Sequence, residues 1–258
     1  MPESARFSSW SGGVTLAETG ESRAVTLPIQ PSSVETADPA TGVEAAANEP
    51  SADAAAGEPA AAEPARKRPK PGERRIQILQ ALAGMLEQPG AERITTAALA
   101  ARLEVSEAAL YRHFASKAQM FEGLIEFIEQ SVFTLVNQVV ERETDPAVQV
   151  QRILALTLQF GEKNPGMTRV MVGDALVFEN ERLGTRMNQF FDRLESQLRQ
   201  SFRALAEASG SQSPTVDAQA RASAAVGLIL GRLHRFARSG FKRQPTEHLE
   251  ATLRLVLA

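Results

Sequence analysis

From Glu73 onward, apolar residues recur every three or four positions and almost never alternate, which commits this part of the chain to α-helix. No convincing strand, βαβ pattern or repeat is visible, so the fold class is all-α. Local signals divide the helical region. A first helix over 73–88 places Ile76, Leu79, Leu82, Ala83 and Leu86 on one face and ends at Pro89-Gly90. Two short helices follow, over 96–104 and 106–113. Ser116 is a good N-cap for a long helix to about Arg142. Asp145-Pro146 joins a cap to a first-turn proline, starting a helix that runs to Lys163, where Asn164-Pro165-Gly166 interrupts it. Further helices are predicted over 167–179, 181–208, 215–239 and 247–257. In the second of these, Met187, Phe190, Phe191, Leu194, Leu198, Phe202 and Leu205 are spaced for a core.

The N-terminal stretch differs. Residues 1–70 are rich in Ala, Glu, Pro, Ser and Thr, and Pro39, Pro50, Pro59 and Pro64 break any long helix. Residues 42–65 lack aromatics and any sustained apolar period. Such a segment cannot bury enough surface to offset its ordering entropy, so 1–70 is expected to be a disordered tail. Net charge is −3, but its distribution matters more than its sum. Residues 1–65 hold ten acidic and two basic residues, residues 66–75 hold six basic and one acidic, and the remainder is balanced. A neutral folded body behind a basic lead-in suits a DNA binder. RKRPKPGERR reads by itself as a solvated linker; its place before the helices described next favours contact with phosphates or a minor groove.

Several function classes are disfavoured. The chain has no cysteine, which removes disulfides, zinc–thiolate sites and cysteine nucleophiles and suits a reducing compartment. His113, His234 and His248 lie far apart with no carboxylate at metal-ligand spacing, so no metal is expected. Neither a glycine-rich phosphate loop after a strand nor a base–nucleophile pair is present, so neither a cofactor nor an enzyme is expected. No apolar run spans a bilayer and no signal peptide is read, which makes a cytoplasmic protein the expectation.

The informative segment is ITTAALAARLEVSEAALYRHFASK, Ile94 to Lys117. Its spacing fits a helix-turn-helix over about 95–114. Thr95 or Thr96 caps the first helix, and Leu99 and Leu103 face inward. Val105 sits in the turn, Ser106 caps the second helix, and Leu110 and Phe114 hold that helix against its neighbours. Ala108, Ala109, Tyr111 and Arg112 are left outward. Small alanines let the backbone approach a major groove and can touch a thymine methyl; Arg112 can reach guanine or phosphate, and Tyr111 and His113 can donate to phosphate. Thr95, Thr96 and Lys117 stand at helix starts, where backbone N–H groups favour phosphate oxygens. Glu107 either caps the recognition helix or accepts from a cytosine amine.

LAARLEVSEAALYRHFASK resembles the helix-turn-helix of the TetR family, and the likeness in length and helix order extends from about Arg74 onward. It implies a three-helix DNA-binding head, 71–117, and a helical body, 118–258, for dimerisation and partner binding. DNA-contacting positions then fall on Thr95, Thr96, Ser106, Ala108, Ala109, Tyr111, Arg112, His113 and Lys117. The family usually has glycine where this chain has Glu104; a left-handed conformation there costs roughly 1 kcal/mol or more. MFEGLIEFIE, GEKNPGMTR and FKRQPTEHLE are similar to segments of the family's nucleoid occlusion branch. That resemblance implies a homodimer, of higher order on DNA in some arrangements, that binds palindromic sites and, while bound, inhibits assembly of the division GTPase FtsZ. Phe127, Lys163 and Asn164 would then form a partner surface beside Glu126 and Glu129, with Lys163 where the resemblance leads one to expect arginine. Ile128 and Phe133 read as core.

Gly227 and Gly231 lie four apart on an otherwise Ala/Leu/Val/Ile helix, suiting either intramolecular packing or, more readily, a two-fold dimer interface. The competing function is a ligand-released TetR-type repressor, which needs a roomy pocket with polar anchors. The body offers few such anchors: the only Tyr is in the head and the only Trp, Trp10, is in the tail. Deleting residues 1–65 is expected to leave duplex affinity and melting temperature nearly unchanged, checked by fluorescence anisotropy and thermal melting.

Overall fold

The structure is a computed structural model that describes residues 72–88 and 93–257. The expected disorder of 1–70, most of the basic lead-in and the helix stop at Pro89-Gly90 lie outside the described residues. The rest forms α1 (Glu73–Leu86), α2 (Thr96–Arg102), α3 (Glu107–Tyr111), α4 (Lys117–Arg142), α5 (Pro146–Lys163), α6 (Pro165–Met171), α7 (Glu181–Ala208), α8 (Pro214–Arg238) and α9 (Leu249–Leu257). A single 3₁₀ turn, Asp174–Leu176, stands between α6 and α7. Among the described residues there is no strand, and no helix is long and apolar enough to cross a membrane.

Most helix starts follow from one polar side chain each. Thr95, Ser106, Ser116 and Asp145 are N-caps whose oxygens accept from Ala98, Ala109, Gln119 and Ala147 backbone N–H groups. Thr95, and not Thr96, is therefore the cap of α2. The predicted 167–179 helix is broken, because Gly173 takes φ 86 and the chain reverses into the 3₁₀ turn. The short helices also stop earlier than predicted, at Arg102 and Tyr111.

The first three helices pack around Ile78, Leu82, Leu86, Leu99, Leu110 and Phe114, each fully buried. α4 continues this core into the body: Phe121 and Leu124 are buried at its head end, and Val132, Phe133 and Val136 further along. Ile128 and Phe133 are core residues, as expected. α7 and α8 form a long helical hairpin across the loop at 209–213, with Phe190, Leu194, Leu198 and Phe202 buried from α7 and Ala222, Ala225, Ile229 and Leu233 from α8.

Two glycines set how closely the layers approach. A Cβ on Gly166 would lie 2.2 Å from the Ala83 carbonyl oxygen, so α6 meets α1 backbone to backbone. A Cβ on Gly161 would lie 2.4 Å from a Leu233 methyl, so α5 and α8 also lie close. Both glycines belong to the GEKNPGMTR segment.

The turn between α2 and α3 is a Schellman motif. Val105 N–H donates to Ala100 O at 3.0 Å and Glu104 N–H to Ala101 O at 3.1 Å. The motif demands a left-handed residue, and Glu104 supplies it with φ 54. Glu104→Gly is expected to stabilise the protein by about 1 kcal/mol and raise Tm by roughly 2–4 °C, measured by thermal melting.

Candidate nucleic-acid interface

α3 is only five residues long, but both ends are held. Ser106 Oγ accepts from Ala109 N–H at 3.3 Å at its start. At its end, the Arg75 guanidinium lies 4.1 Å from the Phe114 ring centre and donates to the His113 carbonyl at 3.1 Å. This basic residue of the lead-in therefore braces the head from α1. Leu110 and Phe114 anchor the inner side at 1% exposure each.

The outer side carries the residues expected to meet DNA. Ala108, Arg112 and His113 are exposed, Ala109 is half-buried, and Tyr111 is 45% exposed, one of the few large apolar side chains left open among the described residues. Thr95 and Ser106 are exposed at the two helix starts. The hydroxyl oxygens of both already accept as caps, so what they offer a phosphate is the hydroxyl O–H, beside the remaining helix-start N–H groups.

Two expected contacts are modified. Thr96 Oγ1 donates to Glu107 Oε2 at 2.5 Å, which staples α2 to α3. Glu107 is thus held by a hydroxyl of the preceding helix, while Ser106 does the capping. Lys117 does not stand free at the start of α4. Its ammonium is bonded to the Glu179 carboxylate, and its side chain is 27% exposed. Beside it, Arg93 lies 5.1 Å from the Phe178 ring centre. The segment after the 3₁₀ turn therefore grips the head at two points. Sequence reading missed this contact because its partners are 62 residues apart for Lys117 and Glu179. The only local hint was an exposed apolar pair, Val177-Phe178, preceding an acid.

The second group expected to act together is partly assembled. Phe127 is half-buried with its ring 6.3 Å from that of Phe160. Asn164 caps α5 by donating from Nδ2 to the Phe160 carbonyl at 2.8 Å. Phe127 and Asn164 therefore converge on one residue, with Lys163 exposed next to them. Glu129 is not available to the same degree. Arg186 binds it bidentately, at 3.1 and 2.6 Å. Those hydrogen bonds, outweighing partial burial, raise Arg186 above its ordinary pKa. Lys117–Glu179, Arg182–Glu122 and Arg186–Glu129 form a ladder in the same chain direction, so α7 runs parallel to α4.

Gly227 and Gly231 face outward. A Cβ added at either meets nothing within 4 Å, so neither glycine serves packing within this protomer. Ala220, Ser223, Ala224 and His234 share the exposed side of α8 with them.

Comparisons with known proteins agree with this geometry. Residues 78–124 match the family of bacterial regulatory proteins, tetR family, and residues 144–258 match the SlmA-like tetracyclin repressor-like C-terminal domain. The chain is 53% identical over 182 residues to the nucleoid occlusion factor SlmA of Vibrio vulnificus strain YJ016, covering 70% of this chain and 92% of that protein. It is 54% identical over 181 residues to the SlmA of Aliivibrio fischeri strain MJ11, covering the same 70% and 92%. Solved structures share the fold at low identity. The fatty acid degradation regulator FadR from Bacillus halodurans gives a TM-score of 0.60 at 15% identity, covering 72% of this chain and 96% of that one. The TetR family regulator PfmR from Thermus thermophilus gives 0.59 at 22%, covering 70% and 97%. The chain belongs to the TetR family of DNA-binding regulators, within its branch of SlmA nucleoid occlusion factors.

Proposed function

We propose that this protein works as a nucleoid-associated homodimer that binds palindromic chromosomal DNA and, while bound, inhibits FtsZ ring assembly over the nucleoid. The observation that carries the reading is the braced α3 with Tyr111 and Arg112 exposed, on a chain that matches SlmA relatives over 92% of their length. In this reading α3 enters a major groove. Arg112 reads a guanine or clamps a phosphate, Tyr111 and His113 donate to phosphates, and Ala108 and Ala109 allow close approach. One head spans half a palindrome, so two are needed. The unpartnered small face of α8 around Gly227 and Gly231 supports a two-fold helix pairing there. The convergence of Phe127, Lys163 and Asn164 at the end of α5 supports this corner as the FtsZ surface, an aromatic beside a cation.

A ligand-released repressor needs polar groups aimed into the body. The buried hydroxyl side chains named in the core are Thr157, Thr168 and Ser201, and each bonds inside the protein: to Ile153 O, Gly161 O and Gln149 Oε1, all at 2.8 Å. Nothing polar is left over for a ligand among these three.

Tyr111→Ala and Arg112→Ala are each expected to weaken specific duplex binding by about 1–3 kcal/mol, roughly 5- to 150-fold, with an unchanged melting curve. Unchanged affinity in an anisotropy titration counts against α3 as the reader. FtsZ assembly followed by sedimentation and light scattering tests the partner. Polymer is expected to be lost or remodelled by this protein, more strongly when a short specific duplex is present. No effect in either condition, with DNA binding intact, overturns the FtsZ reading.

A further inference from the structure

The FKRQPTEHLE segment lies outside the helix-turn-helix, and it is a loop held by many bonds. It runs from the end of α8 to the start of α9. Phe241 and His248 both take left-handed backbone, φ 63 and 54. For residues with a Cβ that conformation is strained, so the surroundings must hold it. They do. The Arg232 guanidinium donates to the carbonyls of Pro245 and Glu247 at 2.7 Å each and to Thr252 Oγ1 at 2.5 Å. Ser239 Oγ accepts from the backbone N–H groups of Lys242 and Arg243 at 3.1 and 2.9 Å. Thr246 donates to Glu162 at the end of α5, and the Phe241 ring packs edge-on to Phe236 with centres 5.2 Å apart.

This frame encloses an open cleft of about 800 Å³ whose wall is cationic. Arg232 holds the loop, while Arg235, Lys242 and Arg243 are exposed along it, with no carboxylate partner among the described residues. The lining includes one carboxylate, Glu247, which lies 3.6 Å from the His248 imidazole. Crowded like charges on a fixed frame repel one another, and an opposite charge relieves that repulsion.

We propose that this cleft binds an acidic peptide segment of a partner protein. The volume is several times that of a single phosphate or carboxylate ion, so an extended ligand fits. No Phe, Tyr or Trp lines the cleft, so the bases of a nucleic acid would lack the large stacking surfaces on which single strands are held. Glu247 on the wall opposes an unbroken row of phosphates but leaves room for carboxylates spaced along a peptide. Gln244 offers an amide that can pair with a peptide backbone. The proposal does not depend on FtsZ being the partner.

The test uses the full chain and a fluorescein-labelled octapeptide of alternating Asp and Glu, titrated by anisotropy at low salt. Binding in the micromolar range is expected, at least tenfold weaker for the triple variant Arg235→Gln/Lys242→Gln/Arg243→Gln. Removing three cations elsewhere, Arg152→Gln/Arg199→Gln/Arg203→Gln, is expected to leave it within about twofold, which separates a site from general attraction. Duplex affinity reports that both variants are folded. The proposal is overturned if peptide binding is absent, if both triple variants weaken it equally, if an Asn/Gln octapeptide binds as tightly, or if an oligothymidylate displaces the peptide more readily than unlabelled peptide does. FtsZ sedimentation is read separately, so failure of the cleft and failure of the proposed function are distinguishable.

Discussion

The seat of Gly166 on the Ala83 carbonyl is the contact on which the rest of the molecule depends. A methyl there would overlap a backbone oxygen, so α6 and α1 meet at a separation that only glycine permits. The head is a small bundle with short α2 and α3, too small to orient itself rigidly by a single connection to α4. The close seat gives it a second attachment, from the body through α6. Lys117–Glu179 and Arg93–Phe178 add a third and a fourth. The orientation of α3 relative to the body is therefore determined by packing in several places, and a bound duplex meets a head that is already aimed.

The electrostatics follow the same plan. An overall charge of −3 is compatible with DNA binding because most of the acid excess sits before residue 66, and the acids near the head are committed. Glu107 is held by Thr96, and Glu179 by Lys117. Thr96–Glu107 is exposed and contributes little to stability, while Lys117–Glu179 is part-buried. Their larger effect is on the field that a phosphate backbone meets. The bond to Glu179 holds the Lys117 charge in place at the start of α4. The α4–α7 ladder likewise turns Glu129 from a free acid beside Phe127 into one half of a bidentate pair, leaving an aromatic and a cation at that corner.

Several features were legible because their causes are local. Ser106, Ser116 and Asp145 were each readable as caps, since capping is decided within three residues. Glu104 was readable as a candidate left-handed residue because it stands where the resembling family has glycine, and its φ is 54. The break at Gly173 was missed although glycine marked it, because the apolar period continues through Val170, Met171 and Val172 and masks the stop. For α2, Thr95 and Thr96 were equally good caps by sequence. The choice fell to Thr95 because Thr96 faces α3 and gives its hydroxyl to Glu107.

The sequence by itself determined the helical class, the outward residues of α3 and the separation of an acidic leader from a balanced body, because periodicity, caps and charge are properties of near neighbours. Only the tertiary structure decided which small residues face a neighbour and which face solvent. Gly161 and Gly166 are pressed against other helices while Gly227 and Gly231 look outward, a distinction absent from the letter G. It also decided that Lys117 is shared with Glu179 and that Lys242 and Arg243 join Arg235 around one cleft. These depend on residues brought together from distant parts of the chain, and their meeting is set by how whole helices pack, which no local pattern encodes.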